Sequence, residues 1–129
     1  MTLLLDTTVL IDALRGRPAA ARLSSLRPKL SAPYVCAINV EELWRGCRPD
    51  EEAVVGRLLS GLRVAPLGQE EGELAGRWRR EHASRGMTLS QSDCLIAAAA
   101  LGVGARLATG NPKDFPMAEL TVEHWPVGE

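Results

Sequence analysis

Leu3-Leu4-Leu5-Asp6-Thr7-Thr8-Val9-Leu10-Ile11-Asp12-Ala13-Leu14-Arg15-Gly16 is the stretch on which the reading of the fold turns. Its first three residues are continuously apolar and too few for a helix, the pattern of a strand covered on both faces. From Thr7 or Thr8 to Leu14 the apolar residues recur at helical spacing, and Gly16 stands where a left-handed residue closes a helix. A strand that passes directly into a helix opens a βα unit. Working outward, the same alternation continues, with strands expected over 30–35, 63–66, 106–109 and, at an edge, 121–124. Helices are expected over 18–26, 39–46, 50–62, 70–85, 90–101 and 112–120. The segment over 70–85 is strongly charged and should keep one face in water, whereas 90–101 is Ala-rich, apolar almost all round, and should be buried. This order predicts an α/β fold with a central, mainly parallel sheet flanked by helices.

The chain has 129 residues, 46% hydrophobic and 24% charged, values typical of folded globular proteins and not of disordered ones. That length suits a single domain over 1–129 with one core. No apolar stretch nears the roughly 20 residues needed to cross a bilayer, and Asp6 arrives too early for a secretory signal. The expectation is a cytoplasmic protein with no membrane partner. Cys36, Cys47 and Cys94 are odd in number and widely spaced, with no CxxC pair, and read as reduced core thiols. Net charge is −1, against a general nucleic-acid coat protein. Setting four of the sixteen acids aside as a site leaves twelve against fifteen Lys and Arg, so the remaining surface is mildly basic.

The four acids set aside are Asp6, one of the neighbours Glu41 and Glu42, Asp93 and Asp114. Asp6 directly follows the first strand, at the carboxyl end where open parallel sheets place ligands, and a carboxylate there is costly unless paired or coordinated. The other three repeat one device. In Asn39-Val40-Glu41-Glu42, Ser90-Gln91-Ser92-Asp93 and Asn111-Pro112-Lys113-Asp114 a capping residue precedes an acid by three positions. That spacing is also the ordinary way to begin a helix, and taken singly each reads as a cap. Read together, they place four carboxylates at one edge of the sheet. Their mutual repulsion is relieved by a divalent cation, and oxygen-only ligands select Mg²⁺ or Mn²⁺ over zinc.

These residues carry a family resemblance. Leu4-Leu5-Asp6-Thr7-Thr8-Val9-Leu10-Ile11 resembles the opening strand and helix of PIN domains, and Glu42-Leu43-Trp44-Arg45-Gly46 resembles their ELxxG helix. Asp93-Cys94-Leu95-Ile96-Ala97-Ala98 resembles their DxLIAA helix, and Thr109-Gly110-Asn111-Pro112-Lys113-Asp114-Phe115 their closing TxNxxDF segment. Order and spacing agree along almost the whole chain, whose length is typical of the VapC toxins of bacterial toxin-antitoxin pairs. The resemblance implies a PIN-like three-layer fold and a metal-dependent endoribonuclease whose catalytic acids are Asp6, Glu42, Asp93 and Asp114, with Glu42 chosen over Glu41. Asp6 and Asp93 would bind Mg²⁺ or Mn²⁺ directly, Glu42 and Asp114 directly or through water, with Thr7 and Asn111 as polar supports. It further implies an RNA substrate, a cognate antitoxin and a homodimer. Gly110 departs from relatives, which often carry a basic residue there.

Several residues have plainer readings beside functional ones. Asp12 is expected to be solvated or locally paired, and Trp44 to pack in the core with Val40, Leu43 and Cys47. Leu10, Leu14, Leu43 and Trp44 are the candidate antitoxin surface. Arg45, Arg48 and Lys113 are candidates for RNA phosphate. His82 and His124 have no metal-ligand partner at useful spacing. A structure-selective DNA nuclease on the same scaffold and an inactive binding module are the alternative functions. A phosphatase of the haloacid type would show Asp-x-Asp where this chain has Asp6-Thr7-Thr8.

Overall fold

In the computed structural model, which describes residues 2–26 and 32–128, five strands form one parallel sheet. They are β1 (Leu3–Leu5), β2 (Tyr34–Val35), β3 (Arg63–Val64), β4 (Arg106–Thr109) and β5 (Val122–His124), in the spatial order β3-β2-β1-β4-β5. Registers pair Leu4 with Tyr34 and Leu107, and Thr109 with His124. The chain builds outward from β1 to one side and then, with β4, to the other. The strand order therefore reverses between β1 and β4, which opens a crevice at their carboxyl ends.

Helices cover both faces. Alternation along β1 sends Leu3 and Leu5 to one side, where α1 (Thr7–Leu14), α2 (Pro18–Leu26) and α4 (Glu52–Ser60) pack. Leu4 and Leu107 point the other way, onto α5 (Gln69–Ala83) and α6 (Gln91–Gly102). Between the layers α3 (Ala37–Gly46) contributes Leu43 to the first core and Ile38 to the second. The run Ala97 to Ala100 on α6 is wholly buried, as the all-round apolar sequence predicts, and Gly16 takes the left-handed conformation (φ 66°). No described helix is long and apolar enough to cross a membrane.

The structure corrects several expectations. The strand placed over 30–35 is only Tyr34–Val35; Ala32 and Pro33 are outside it, and Leu30 and Ser31 lie outside the described residues. Pro33 has no N–H to give a ladder. The helix expected from Asn39 begins at Ala37, with Cys36 as its cap, so Asn39 lies inside and Glu42 falls in the second turn rather than the first. The helix over 112–120 is a single 3₁₀ turn, Pro112–Asp114. Pro116 explains this, since it lacks the N–H a helix would need there and disfavours helical backbone at Phe115.

Three side-chain assignments also change. Trp44 is not a core residue: it is 41% exposed, as is Ile11 to a similar degree, whereas Leu10 and Leu43 of the candidate partner surface are fully buried. Asp12 is 3% exposed and accepts the Ala19 N–H, so of its two readings the solvated one falls and the paired one stands. Cys36 and Cys94 are buried, and burial raises both thiols above their ordinary range, but Cys47 is only half-buried.

Candidate functional site

Asp6 caps α1. This overturns the argument that its place after a strand sets it apart from the capping acids. Its Oδ1 accepts the Thr7 N–H at 2.9 Å, while its own N–H continues the ladder to the Ala108 carbonyl at 2.9 Å. Two hydroxyls donate to the other oxygen. Thr109 Oγ1 lies 2.6 Å and Thr8 Oγ1 3.1 Å from Asp6 Oδ2. Each hydroxyl in turn accepts a backbone N–H, from Asn111 at 3.0 Å and from Gly110 at 3.0 Å respectively. With a lone pair occupied in this way, each hydroxyl turns its hydrogen to the carboxylate, and the chain of bonds is mutually polarising.

Glu42 is held by a second chain of the same kind. Thr7 Oγ1 donates to Glu42 Oε1 at 2.6 Å, Asn39 Nδ2 donates to Thr7 Oγ1 at 3.1 Å, and Asn39 Oδ1 takes the Cys36 N–H at 2.9 Å. Thr7 thus links Asn39 to Glu42. Asn39 supports from behind Thr7 and, as the third residue of α3 rather than its cap, reaches back to the Cys36 N–H. Asp93 sits in the first turn of α6, where its N–H donates to Ser90 Oγ at 3.0 Å, the cap read from the sequence. Asp114 is exposed at the end of the 3₁₀ turn. Asn111 caps that turn without a side-chain bond; its backbone N–H goes to Thr109 Oγ1 and its carbonyl accepts the Asp114 N–H at 3.0 Å.

Electrostatics tie the four acids together. Burial raises Asp93 above its ordinary carboxylate range, against the Ser90 bond, and Asp114, Asp6 and Glu42 all push it further up by repulsion. Burial is also the main cause of a raised pKa at Asp6, where Thr109, Thr7 and Thr8 oppose it and Glu42 adds to it. Among the described residues no three His, Cys, Asp or Glu side chains already close on one point that would hold a metal ion. Mg²⁺ is commonly bound by one or two carboxylates with water completing its octahedron, so this all-oxygen, mutually repelling set fits a hydrated ion rather than a protein cage.

The candidate phosphate contacts separate. Arg45 is engaged by Glu41 at 3.2 Å, and Arg48 by Glu51 at 3.3 Å and Asp50 at 3.6 Å. Lys113, exposed beside Asp114, has no ion-pair partner among the described residues. Thr8, Asn39 and Thr109 were missed as site residues. Thr109 opens one of the quoted motifs, but nothing local signals a bond across 103 positions to Asp6.

The sequence pattern of the PIN domain matches residues 3–118. The chain belongs to the PIN-domain family. Its relatives include ribonuclease VapC19 of Mycobacterium tuberculosis, 34% identical over 115 residues that make up 88% of this chain and 92% of the relative. Ribonuclease VapC10 of the same organism is 36% identical over 121 residues, 91% of this chain and 88% of the other. In three dimensions this PIN domain resembles a chain of the crystal structure of VapBC2 from Rickettsia felis bound to a DNA fragment from their promoter. The TM-score is 0.84 at 25% identity, covering 97% of this chain and 99% of that one.

The Thr109–Asp6 bond makes a test of the carboxylate's setting. Thr109→Val keeps the shape but removes the hydroxyl, leaving the Asn111 N–H without its acceptor. The expected loss at neutral pH is about 1.5–3 kcal/mol, the worth of a hydrogen bond to a charged group. Urea unfolding measures it, and Thr109→Ser should restore most of the stability. Unchanged stability in the valine variant would contradict the bond.

Proposed function

We propose that this PIN domain is a Mg²⁺- or Mn²⁺-dependent endoribonuclease and the toxin of a VapBC-type pair. The observation that carries the reading is the pair of hydroxyl chains at the carboxyl end of β1, where Thr8 and Thr109 hold Asp6 and the adjacent Thr7 holds Glu42. Relatives named ribonuclease VapC supply the reaction class.

In this reading Asp6 and Asp93 bind the ion directly, and Glu42 and Asp114 bind it directly or through water. A bound ion would supply charge neutralisation at the scissile phosphate and a more acidic water. The chain's own residues provide the geometry. Thr8 and Thr109 aim Asp6, Thr7 and Asn39 aim Glu42, and the first turn of α6 presents Asp93. Lys113 is placed to meet a substrate phosphate, whereas Arg45 and Arg48 must first leave their carboxylates.

The partner is an antitoxin that covers exposed apolar surface at Ile11 on α1 and Trp44 on α3, two helices in contact, and the protein pairs as a homodimer. Induced expression of the active chain without its antitoxin should arrest bacterial growth, and the Asp6→Asn chain should not. Co-expression of the neighbouring antitoxin should lift the arrest. Equal growth with both chains at high expression would sink the toxin reading.

A further inference from the structure

Residues 125–128, which follow β5, lie against the end of β4 and against α1. Trp125 N–H donates to the Thr109 carbonyl at 2.8 Å. Val127 lies against Gly110 so closely that a Cβ on Gly110 would stand 2.8 and 3.0 Å from its two methyl groups. Gly128 N–H donates to Asp12 Oδ1 at 2.9 Å. The other Asp12 oxygen takes the Ala19 N–H at 2.9 Å. A buried carboxylate with each oxygen on a backbone amide is a fixed anchor, here joining α1, α2 and the final segment.

What the anchor holds is the peptide group between Thr109 and Gly110. Its carbonyl is taken by Trp125, and its N–H donates to Thr8 Oγ1, the hydroxyl that donates to Asp6 Oδ2. We propose that Asp12, Val127 and Gly110 are positioning residues. The segment clasped by Asp12 sets the tilt of the 109–110 peptide and, through Thr8, the aim of the Asp6 carboxylate. This rests on reading Asp6 as a site acid. Gly110 is not among the glycines in the left-handed region, so contact with Val127, not backbone strain, is what calls for glycine there.

Single-turnover and steady-state RNA cleavage with the full chain test the proposal. Gly110→Ala pushes Val127 away and should lower kcat about ten- to a hundredfold, the scale of a misplacement near 1 Å, while KM for RNA stays unchanged. Adding Val127→Ala removes both crowding methyls and should recover most of the rate. Asp12→Asn can accept only one of the two N–H bonds through its single oxygen and should show the same selective fall in kcat. In the metal-free Asp12→Asn protein the Gly110 amide proton resonance should move toward the position of a weaker hydrogen bond. Parental kcat in Gly110→Ala, a double variant no faster than the single one, or an unmoved Gly110 resonance would each overturn the proposal. A parent chain that cleaves no RNA overturns the nuclease reading instead, and the amide measurement then decides the positioning role alone.

Discussion

Asp6→Asn and Asp93→Asn are each expected to lower RNA cleavage by about 10³-fold or more, the range seen when a group acting as part of a catalytic unit is removed. The folded structure should persist in both. The two differ in how cleanly they report. Asp6 accepts three hydrogen bonds, and an amide with one oxygen cannot take them all, so its circular dichroism and thermal midpoint belong beside the rate. Asp93 is half-buried and freer, and serves as the second test. Near-parental activity in either variant with metal supplied would remove that residue from the site.

The same substitutions carry a pH signature in the metal-free protein. Both acids have folded pKa values raised above the ordinary 3.8, so the folded state holds protons that the unfolded chain has released. Stability from these groups is therefore fully present below 3.8 and is lost as pH rises through the raised folded values. Asp93→Asn, which has no charge to bury, should be more stable than the parent at pH 7 by a few degrees in Tm. The gap should close on acidification toward 3.8. A gap that is constant with pH would mean that the carboxylate's charge is not the destabilising feature.

Removal of divalent metal should have an effect as large. EDTA is expected to stop cleavage, Mg²⁺ or Mn²⁺ to restore it, and the products to carry 5′-phosphate and 3′-hydroxyl ends. A water attacking in line expels the 3′-oxygen and makes no use of the 2′-hydroxyl, whereas the common metal-free route forms a 2′,3′-cyclic phosphate with paired histidines as base and acid. The two histidines here sit apart in the fold. His82 is buried on α5 with Nδ1 2.8 Å from the Trp78 carbonyl, and His124 is exposed on edge strand β5. Cyclic phosphate ends, or full activity in EDTA, would overturn the mechanism.

Much of the molecule was legible before its coordinates, for local reasons. The apolar run Leu3–Leu5, the helical spacing to Leu14 with Gly16 behind it, and the apolar run from Cys94 along α6 each state their own burial. Ser90 and Asp93 form their cap within one helical turn, and the four quoted motifs lead in order to the PIN domain. The 112–120 segment also carries a local sign against a full helix, in Pro116.

What only the tertiary structure decided are the relations between distant segments, because a sequence pattern tells a residue's environment only through its neighbours on one element. Leu43 and Trp44 share the apolar spacing of α3, yet one turns into the core and the other toward solvent, and α1 and α4 decide which. Where α3 begins is set by the end of β2, and this moves Glu42 out of the first turn and makes Asn39 the third helical residue, bonded both to the cap's N–H and to Thr7. Asp12 looks like any exposed helix acid until amides from α2 and from Gly128 meet its two oxygens. Thr109 and Gly110 reach Asp6 and Thr8 only because β4 pairs with β1 in one register, and a hydrogen bond between residues a hundred positions apart leaves no local trace.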